Sequence, residues 1–401
     1  MGSLARSVSL ATLVLALAGC GTLPRNAVPP ELTGQAVIPG MPDVRAWAGR
    51  PSPAMEHDFA RSFEQESPAD FPPGPDGRVR YPHLVLSGGG ANGAFGAGFL
   101  KGWTKTGRRP VFKIVTGVST GAMMAPFAFL GPDYDEALRE FYTTTTSRDI
   151  FALGSILVRL LSGDSLADTG PLASLIAHHV DATFLELIAA AHERGRRLYI
   201  GTVDLDAQQF VVWNMGLIAA SGHADALDLF RRVMLASASI PIVFPPVLID
   251  VEAGGRRYDE MHVDGAVAAR VFLNGAVFRP SLVSGRDGRP VREDIYIIHN
   301  GQFTEPPSPT PRSLRGITTR VLDASSRAGL VGDLFRIHSF AMGEQAGFHW
   351  VTIAEGVDVP GAEVFDPEKM IALYEVGYRI ALEGPVWKTD PPGLRWERTP
   401  P

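Results

Sequence analysis

The chain has 401 residues, of which 45% are hydrophobic and 20% are charged, and its net charge is −6 at pH 7. This length is sufficient for one large domain or two ordinary ones with a full hydrophobic core. Nucleic-acid binding needs a basic surface, so the acidic balance excludes nucleic acid as an expected partner.

The first 20 residues predict an export signal. Arg6 precedes an apolar stretch over residues 8–18, which is typical of a signal peptide and too short to span a bilayer in the mature protein. Leu17-Ala-Gly-Cys20 then resembles the bacterial lipobox, in which the cysteine is lipidated and becomes the new N-terminus. The alternative is an ordinary secretory signal with a chance cysteine. Cys20 is the only cysteine, so no intramolecular disulfide is expected.

The lipobox resemblance implies a signal peptide over residues 1–19 and a lipid anchor at Cys20. Lipoprotein maturation supplies more than one hydrocarbon chain, as stable anchoring requires. We therefore expect a protein of the bacterial cell envelope, attached to the membrane through Cys20. Gly21 after the cysteine, rather than Asp, resembles lipoproteins sent to the outer membrane.

Residues 20–80 are rich in proline, glycine and alanine and lack sustained periodicity. This composition predicts an extended tether with one short helix near residues 53–66. From residue 81 short apolar runs alternate with helical patterns. Such alternation predicts a three-layer α/β/α fold with a central, mostly parallel sheet. The predicted strands are 84–86, 112–115, 198–204, 210–214 and 294–299, and the predicted helices are 94–106, 121–130, 134–142, 184–194, 226–236, 318–346 (continuous or broken) and 367–383.

Two segments do not fit this alternation. Residues 150–161 are apolar with little charge, which indicates either core or a surface that faces lipid or acyl chains. Residues 300–317 contain four prolines and are interpreted as a loop. It separates a main domain over residues 81–299 from a C-terminal α/β extension over residues 300–401 that packs on that domain.

Two glycine loops follow predicted strands. The first reads Gly88-Gly-Gly-Ala-Asn-Gly93 and opens a helix, so its backbone N–H groups are available to a developing oxyanion. The second, Gly117-Val-Ser119-Thr-Gly121, also joins a strand to a helix, which is the context of a nucleophilic serine on a strained turn. Together the two loops predict a site for acyl transfer.

The first loop also fits the pattern Gly-x-Gly-x-x-Gly of dinucleotide-binding proteins. That site requires an acidic residue about twenty positions later, for the ribose. No Asp or Glu occurs between Gly88 and Ser119, so a nicotinamide or flavin cofactor is not expected.

A nucleophilic serine needs a base. In a Ser-Asp-His order only the later histidines qualify, and His299 at the end of a predicted strand is one candidate. The other candidate is Asp264 in Val263-Asp-Gly265-Ala266, whose carboxylate lies on a tight turn. The residues alone leave an ordinary Asp-Gly turn open as a third interpretation.

The ordered motifs resemble patatin-like phospholipases over roughly residues 84–280. The matching parts are the glycine loop from Gly88, the Ser119 elbow and the Asp264 turn. Between the second and the third, Ala236-Ser-Ala-Ser-Ile-Pro-Ile-Val-Phe244 is similar to the family's segment ahead of the aspartate. Many members carry Arg or Lys where this chain has Asn92.

The resemblance implies a patatin-like α/β/α fold and a serine acyl hydrolase that uses a Ser-Asp dyad without histidine. It makes Ser119 the nucleophile and Asp264 its general base. The implied oxyanion hole lies among Gly88, Gly89, Gly90, Ala91 and Gly93, the elbow glycines are Gly117 and Gly121, and the base turn contains Gly265 and Ala266. The implied substrate is a membrane phospholipid or a related amphipathic ester.

Two other functions stay open at this stage. One is an α/β-hydrolase esterase that pairs Ser119 with His299 or a later histidine. The other is a non-catalytic lipoprotein that binds lipid or a partner through the same pocket. No metal or cofactor is expected, because the sequence lacks ligand spacings such as His-x-x-x-His, and activity should persist in a chelator.

Overall fold

The computed structural model describes residues 23–151, 168–273, 291–303, 308–357, 364–385 and 387–394. The predicted signal peptide, Cys20 and most of the apolar stretch 150–161 lie outside these ranges. Over the described residues, nine strands form one sheet. They are β1 (Arg45–Trp47), β2 (Val79–Leu86), β3 (Ile114–Gly117), β4 (Arg197–Asp204), β5 (Gln209–Asn214), β6 (Val247–Ala253), β7 (Arg256–Asp264), β8 (Val291–Gln302) and β9 (Gly347–Ile353).

Eleven α-helices fall in the described part of the chain. They are α1 (Pro53–Gln65), α2 (Gly93–Lys105), α3 (Thr120–Leu130), α4 (Asp135–Thr144), α5 (Ser147–Ile150), α6 (Gly170–His179), α7 (Ala182–Glu193), α8 (Met215–Ala220), α9 (Ala226–Ser237), α10 (Leu314–Gly343) and α11 (Pro367–Glu383). Short 3₁₀ turns cover Pro30–Gln35, Gly90–Asn92, Pro132–Tyr134 and Gly265–Val267.

The strand order is β1-β5-β4-β3-β2-β8-β9. The neighbours β4/β3, β3/β2, β2/β8 and β8/β9 are parallel, whereas β5 and β7 run antiparallel to β4 and β6 forms a hairpin with β7. The predicted α/β class with a central, mostly parallel sheet is confirmed. The strands missed from the sequence, β1, β6, β7 and β9, lie towards the margins of the sheet.

Both faces of the central strands are covered. On β2, Leu84 and Leu86 belong to a core with α2, α3 and α11, whereas Val85 belongs to a second core with α1 and α10. A parallel strand buried on both faces reads as a continuous apolar run, which is why residues 84–86 were recognisable in the sequence. The sheet is therefore the middle of three layers.

The short helix predicted near residues 53–66 is present as α1, but the segment around it is not an extended tether, because it packs on the sheet. Strand β1 pairs with β5, and α1 packs Met55 and Phe59 into the core beside the sheet. Ser52 caps α1 and Pro53 begins it, as helix N-termini favour. Apolar residues spaced at helical intervals thus outweigh the high proline content of this segment.

The C-terminal extension packs closely on the main domain. Helix α11 lies along α2, where a Cβ atom added to Gly98 or Gly102 would overlap the carbonyl oxygen of Tyr374 or Tyr378. A Cβ atom at Gly377 would likewise overlap the Phe95 carbonyl oxygen. Glycines on both helices therefore allow the two backbones to approach, and β9 adds to the sheet beside β8.

Helix α10 is continuous, whereas the sequence predicted either a continuous or a broken helix over residues 318–346. No single described helix is long and apolar enough to cross a membrane. The pair α6 and α7 together reach the length and composition of a span, with a bend of 64° between them.

Candidate active site

Ser119 lies on a sharp turn between β3 and α3. Its backbone φ is 56°, a left-handed conformation that costs a non-glycine residue about 1–3 kcal/mol. The turn is tight because Gly117 and Gly121 have no side chains. A Cβ at Gly117 would overlap the Gly121 carbonyl oxygen, and one at Gly121 would overlap that of Leu86.

Asp264 reaches the serine because two strands meet end to end. Strand β3 pairs with β4 up to Gly117 opposite Ile200, and β7 pairs with the same edge of β4 from Thr202 opposite Asp264. The two strands run in opposite directions along that edge. The last residue of β7 therefore comes to the turn that holds Ser119.

The Asp264 carboxyl group is buried beside the serine. Burial raises its pKa from 3.8 to about 6, although hydrogen bonding from the Ser119 side chain and the Ala266 N–H and the charge of Arg270 oppose the rise. The Ala266 N–H lies 2.8 Å from Asp264 Oδ1 and fixes the carboxylate within its turn. Gly265 is required there because a Cβ would overlap the Gly201 carbonyl oxygen. Such a carboxylate is ionised near neutral pH and can accept a proton.

The first glycine loop lies directly against the serine. A Cβ atom at Gly88 would be 3.1 Å from Ser119 Cβ. At Gly89, φ is 157°, and a Cβ would overlap the backbone of Asn300. Asn300 is itself fixed, since its N–H donates to Ser87 Oγ at 2.8 Å and its side-chain amide donates to the Ser87 carbonyl oxygen at 3.0 Å.

Two helix N-termini converge on this place. Ser119 immediately precedes α3, and Gly90, Ala91 and Asn92 form the 3₁₀ turn that leads into α2 at Gly93. The first N–H groups of a helix lack intrahelical partners and carry partial positive charge. The arrangement suits a negative charge that develops beside Ser119.

The last residue of α9 and the residues that follow it hold both candidate residues through hydrogen bonds. The Ser119 N–H donates to Ser237 Oγ at 3.0 Å, and the Ser237 hydroxyl donates to the Gly201 carbonyl oxygen at 2.7 Å. The Asp264 N–H donates to the Ser239 carbonyl oxygen at 2.9 Å. One short segment therefore positions the serine and the aspartate relative to each other.

His299 lies three residues before the end of β8 and forms a hydrogen bond with Thr352 of β9. Its Nδ1 is 2.9 Å from the Thr352 hydroxyl, which donates to the Gly301 carbonyl oxygen at 2.6 Å. Burial, together with the charge of Arg270, lowers its pKa to about 3. The ring is therefore neutral and bound to a structural partner. Of the later histidines, His338 packs edge-on against Phe348, and His349 is 3.2 Å from an Asp294 oxygen.

Three buried titratable groups also cluster where β4 pairs with β7. Ligand atoms of Asp204, Glu260 and His262 lie within 4.8 Å of one another. Burial opposes ionisation of Glu260, but hydrogen bonds from His262 and Arg45 lower its pKa to about 2. The guanidinium of Arg45 binds both Glu260 oxygens, so the cluster already contains a cation.

The structure therefore brings together the residues of all three predicted motifs. They are the first glycine loop (Gly88, Gly89, Gly90, Ala91, Gly93), the turn around the serine (Gly117, Ser119, Gly121) and the turn around the aspartate (Asp264, Gly265, Ala266), which lie next to one another. Sequence reasoning missed Ser237, Asn300 and Arg270. Two of them had a signal: Ser237 lies in the segment that resembles the family, and Asn300 follows His299.

Comparisons with known proteins agree with the sequence motifs. Residues 84–277 match the model of a family described as patatin-like phospholipase. A search of curated proteins gives no match. Among solved structures, VipD from Legionella pneumophila is 11% identical with a TM-score of 0.35, and the match covers 76% of this chain and 66% of that one.

Two further solved structures are similar at the same level. A human GIVD cytosolic phospholipase A2 is 12% identical with a TM-score of 0.31, covering 85% of this chain and 66% of that one. The type III effector protein ExoU is 14% identical with a TM-score of 0.31, covering 77% and 53%. The chain thus spans just under two thirds of VipD and about half of ExoU.

Proposed function

We propose that this protein is a serine acyl hydrolase that cleaves the ester-linked acyl chains of phospholipids or related lipids, because residues 84–277 match the model of the patatin-like phospholipase family. The family name itself supports a lipid ester as substrate. The observation that carries the proposal is the meeting of the Ser119 turn with the turn that holds the buried Asp264 carboxyl group, where β3 and β7 end on one edge of β4.

In the first half of the reaction the Ser119 hydroxyl oxygen attacks the ester carbonyl carbon. Asp264 accepts the hydroxyl proton, and the carbonyl oxygen becomes an oxyanion among the N–H groups of Gly88, Gly89, Gly90 and Ala91. The helix N-termini at α2 and α3 favour that negative charge. The tetrahedral intermediate then collapses, the ester C–O bond breaks, and Asp264 returns its proton to the departing alcohol.

In the second half a water molecule attacks the acyl-serine. Asp264, ionised again, accepts a proton from the water, and the oxyanion loop stabilises the second tetrahedral intermediate. Collapse releases the fatty acid and restores the Ser119 hydroxyl. One carboxylate thus serves twice as base and twice as acid, which requires a pKa closer to the working pH than the ordinary 3.9 of Asp.

The site of action follows from the N-terminus. We propose that Cys20 is lipidated and holds the protein on the bacterial cell envelope, in the outer membrane, where ester lipids are available. The boundaries 1–19, 20–80, 81–299 and 300–401 likewise remain predictions, and the main domain over 81–299 contains every proposed catalytic group.

The test of the function is fatty-acid release from phospholipid in mixed micelles. We expect the purified protein to release fatty acid, and the Ser119→Ala variant to release none. Quantifying lysophospholipid separates a phospholipase A, which accumulates it, from a lysophospholipase, which consumes it. Binding of lipid without any product would support the non-catalytic alternative and contradict the proposal.

The pH profile tests the role of Asp264. Activity requires the ionised carboxylate, so kcat/KM should rise as the pH increases through about 6 and then level off. The profile is measured with a neutral ester, whose own charge does not change. A rising limb centred near pH 4 would argue against Asp264 as the base. So would a limb centred near pH 7 together with loss of activity in a histidine variant.

His299 tests the alternative triad. We expect His299→Gln to retain activity within a few-fold per folded molecule, because the ring is bound to Thr352 and has a pKa of about 3. The measurement is kcat on a soluble ester together with a circular dichroism spectrum. A loss of a thousandfold in a folded variant would favour the Ser-His esterase instead.

A further inference from the structure

An uninterrupted apolar segment follows Ser239. Residues 240–249 read Ile-Pro-Ile-Val-Phe-Pro-Pro-Val-Leu-Ile, without a charged or hydrogen-bonding side chain before Asp250. We call residues 240–246 the rim loop. Three of its side chains are exposed, namely Ile240 (42%), Ile242 (56%) and Val243 (39%). Contiguous exposed apolar side chains mark an interaction surface more often than scattered ones do.

The rim loop is held in a shape that turns these side chains outward. Phe244 is buried against the ring of Phe151, with ring centroids 6.1 Å apart, and its N–H donates to the Ile240 carbonyl oxygen at 2.9 Å. Pro241 and Pro245 restrict the backbone on either side. Ile242 has a φ of 74°, which is an outlier for a β-branched residue. Strain of this kind occurs where the surrounding structure over-determines a conformation, often at functional sites.

The rim loop is continuous with the proposed active site. It begins directly after Ser239, whose carbonyl oxygen accepts the Asp264 N–H. It leads into β6 at Val247, which pairs with His262, two residues before Asp264. Val267, three residues after Asp264, is exposed to the same degree as Ile242, at 56%. The exposed apolar side chains therefore lie in segments that adjoin the residues around Asp264.

We propose that Ile240, Ile242, Val243 and Val267 form the surface that docks on a lipid bilayer and lets a lipid pass to Ser119. The inference rests on the proposed function, because a bilayer is where an ester lipid is held. It also rests on the composition of residues 240–249, since apolar side chains insert favourably at the boundary between lipid head groups and acyl chains. Moving one such side chain out of water favours binding about tenfold or more.

The test uses an environment-sensitive fluorophore on a single cysteine. Cys20 is the only cysteine, so Cys20→Ser combined with Ile242→Cys gives one labelling site in the full chain. The probe is a vesicle of phosphatidylcholine with or without doxyl-labelled lipid. The matched control is Val111→Cys, which has equal exposure (55%) but precedes β3, at the end of that strand opposite Ser119. Val243→Cys provides a second position in case labelling at 242 disturbs folding.

We expect the emission from position 242 or 243 to shift to shorter wavelength on vesicles and to be quenched by doxyl lipid. The emission from position 111 should do neither. Because the probe reports only its own surroundings, attachment through another part of the chain does not mimic this result. If the protein binds vesicles while the probes at 242 and 243 stay in water, the proposal is overturned. It is also overturned if the probes become shielded without lipid as the protein concentration rises, because a second copy of the chain then covers the surface.

The docking experiment can fail or succeed independently of the proposed hydrolase activity. The measurement needs no turnover and is repeated with Ser119→Ala, where the same shift is expected. Docking without fatty-acid release from the wild type would count against the hydrolase and leave the surface intact. Release without docking would count against the surface alone.

Discussion

Asp264→Asn should reduce the hydrolysis of lipid esters by about a thousandfold or more while making the protein more stable. The amide keeps the shape of the side chain but cannot accept the Ser119 proton, and a positioned general base contributes typically 10²–10⁴ in rate. The loss should appear mainly as a lower kcat and not as a higher KM, because the lost interaction acts in the transition state. The measurement is the initial rate of fatty-acid release.

The stability gain follows from the raised pKa of Asp264. Folding favours the protonated form, since the pKa rises from 3.8 to about 6, so holding the carboxylate ionised costs up to about 3 kcal/mol at neutral pH. That cost is absent below the unfolded pKa, grows between pH 4 and 6, and is fully present above 6. The variant should therefore be more stable than the wild type at pH 7.5 and equal to it near pH 4. Denaturant unfolding at both pH values measures the difference.

An Asp264→Asn variant that stays active, or one that is less stable at pH 7.5, would contradict this assignment. Arg270→Gln serves as the companion variant. Its charge lowers the pKa of Asp264, so its removal should move the acid limb of the pH profile to higher pH. That shift would not occur if Asp264 were only a structural turn residue.

Gly89→Ala is expected to cost at least a hundredfold in kcat and to destabilise the protein. The added Cβ would overlap the carbonyl oxygen of Asn300, which Ser87 holds in place, so the loop has to move. Displacing one oxyanion donor costs about 10²–10³ in kcat. Overpacking a closed site costs about 1–3 kcal/mol of stability in addition.

Gly90→Ala is the matched control for this effect. Gly90 also has a positive φ, of 55°, but nothing lies within 4 Å of its added Cβ. An alanine there pays only the left-handed backbone cost, about 1–2 kcal/mol, and keeps its N–H. Both variants are compared by kcat on a soluble ester and by the midpoint of unfolding. Equal activities of the two would show that the approach of Gly89 to Asn300 does not matter for catalysis.

The elements that could be predicted are those with a strong local pattern. Helix α11 was predicted at its observed bounds, because Pro367 and the apolar spacing mark it within the sequence itself. The hairpin of β6 and β7 was missed, although Gly254-Gly255 is a turn signal. Its second strand carries Glu260 and His262, which look solvated in the sequence. They are buried because Arg45, more than 200 residues away, neutralises Glu260.

In the candidate site, too, features with a local sequence pattern could be predicted and features that depend on distant contacts could not. Gly117 and Gly121 around Ser119, and Gly89 in the first glycine loop, are constrained by close approach of backbone, which leaves a local and ordered pattern. Ser237 and Asn300 lie beside recognisable residues, but their hydrogen bonds join them to Ser119, Gly201 and Ser87, which are distant in the chain. Such contacts leave no regular spacing in the sequence, so the roles of these residues could not be predicted from it. The end-to-end meeting of β3 and β7 on β4 likewise depends on strand pairing, so it could not be predicted from either motif.

The measurement that tests the central claim most directly is covalent labelling with a fluorophosphonate probe. The probe phosphonylates an activated serine and loses fluoride, and mass spectrometry of the peptides identifies the residue. We predict one adduct, on Ser119, that is absent in a folded Ser119→Ala variant and forms much more slowly in Asp264→Asn. A folded wild type that takes up no probe, or an adduct that persists on another serine when Ser119 is replaced, would contradict the account.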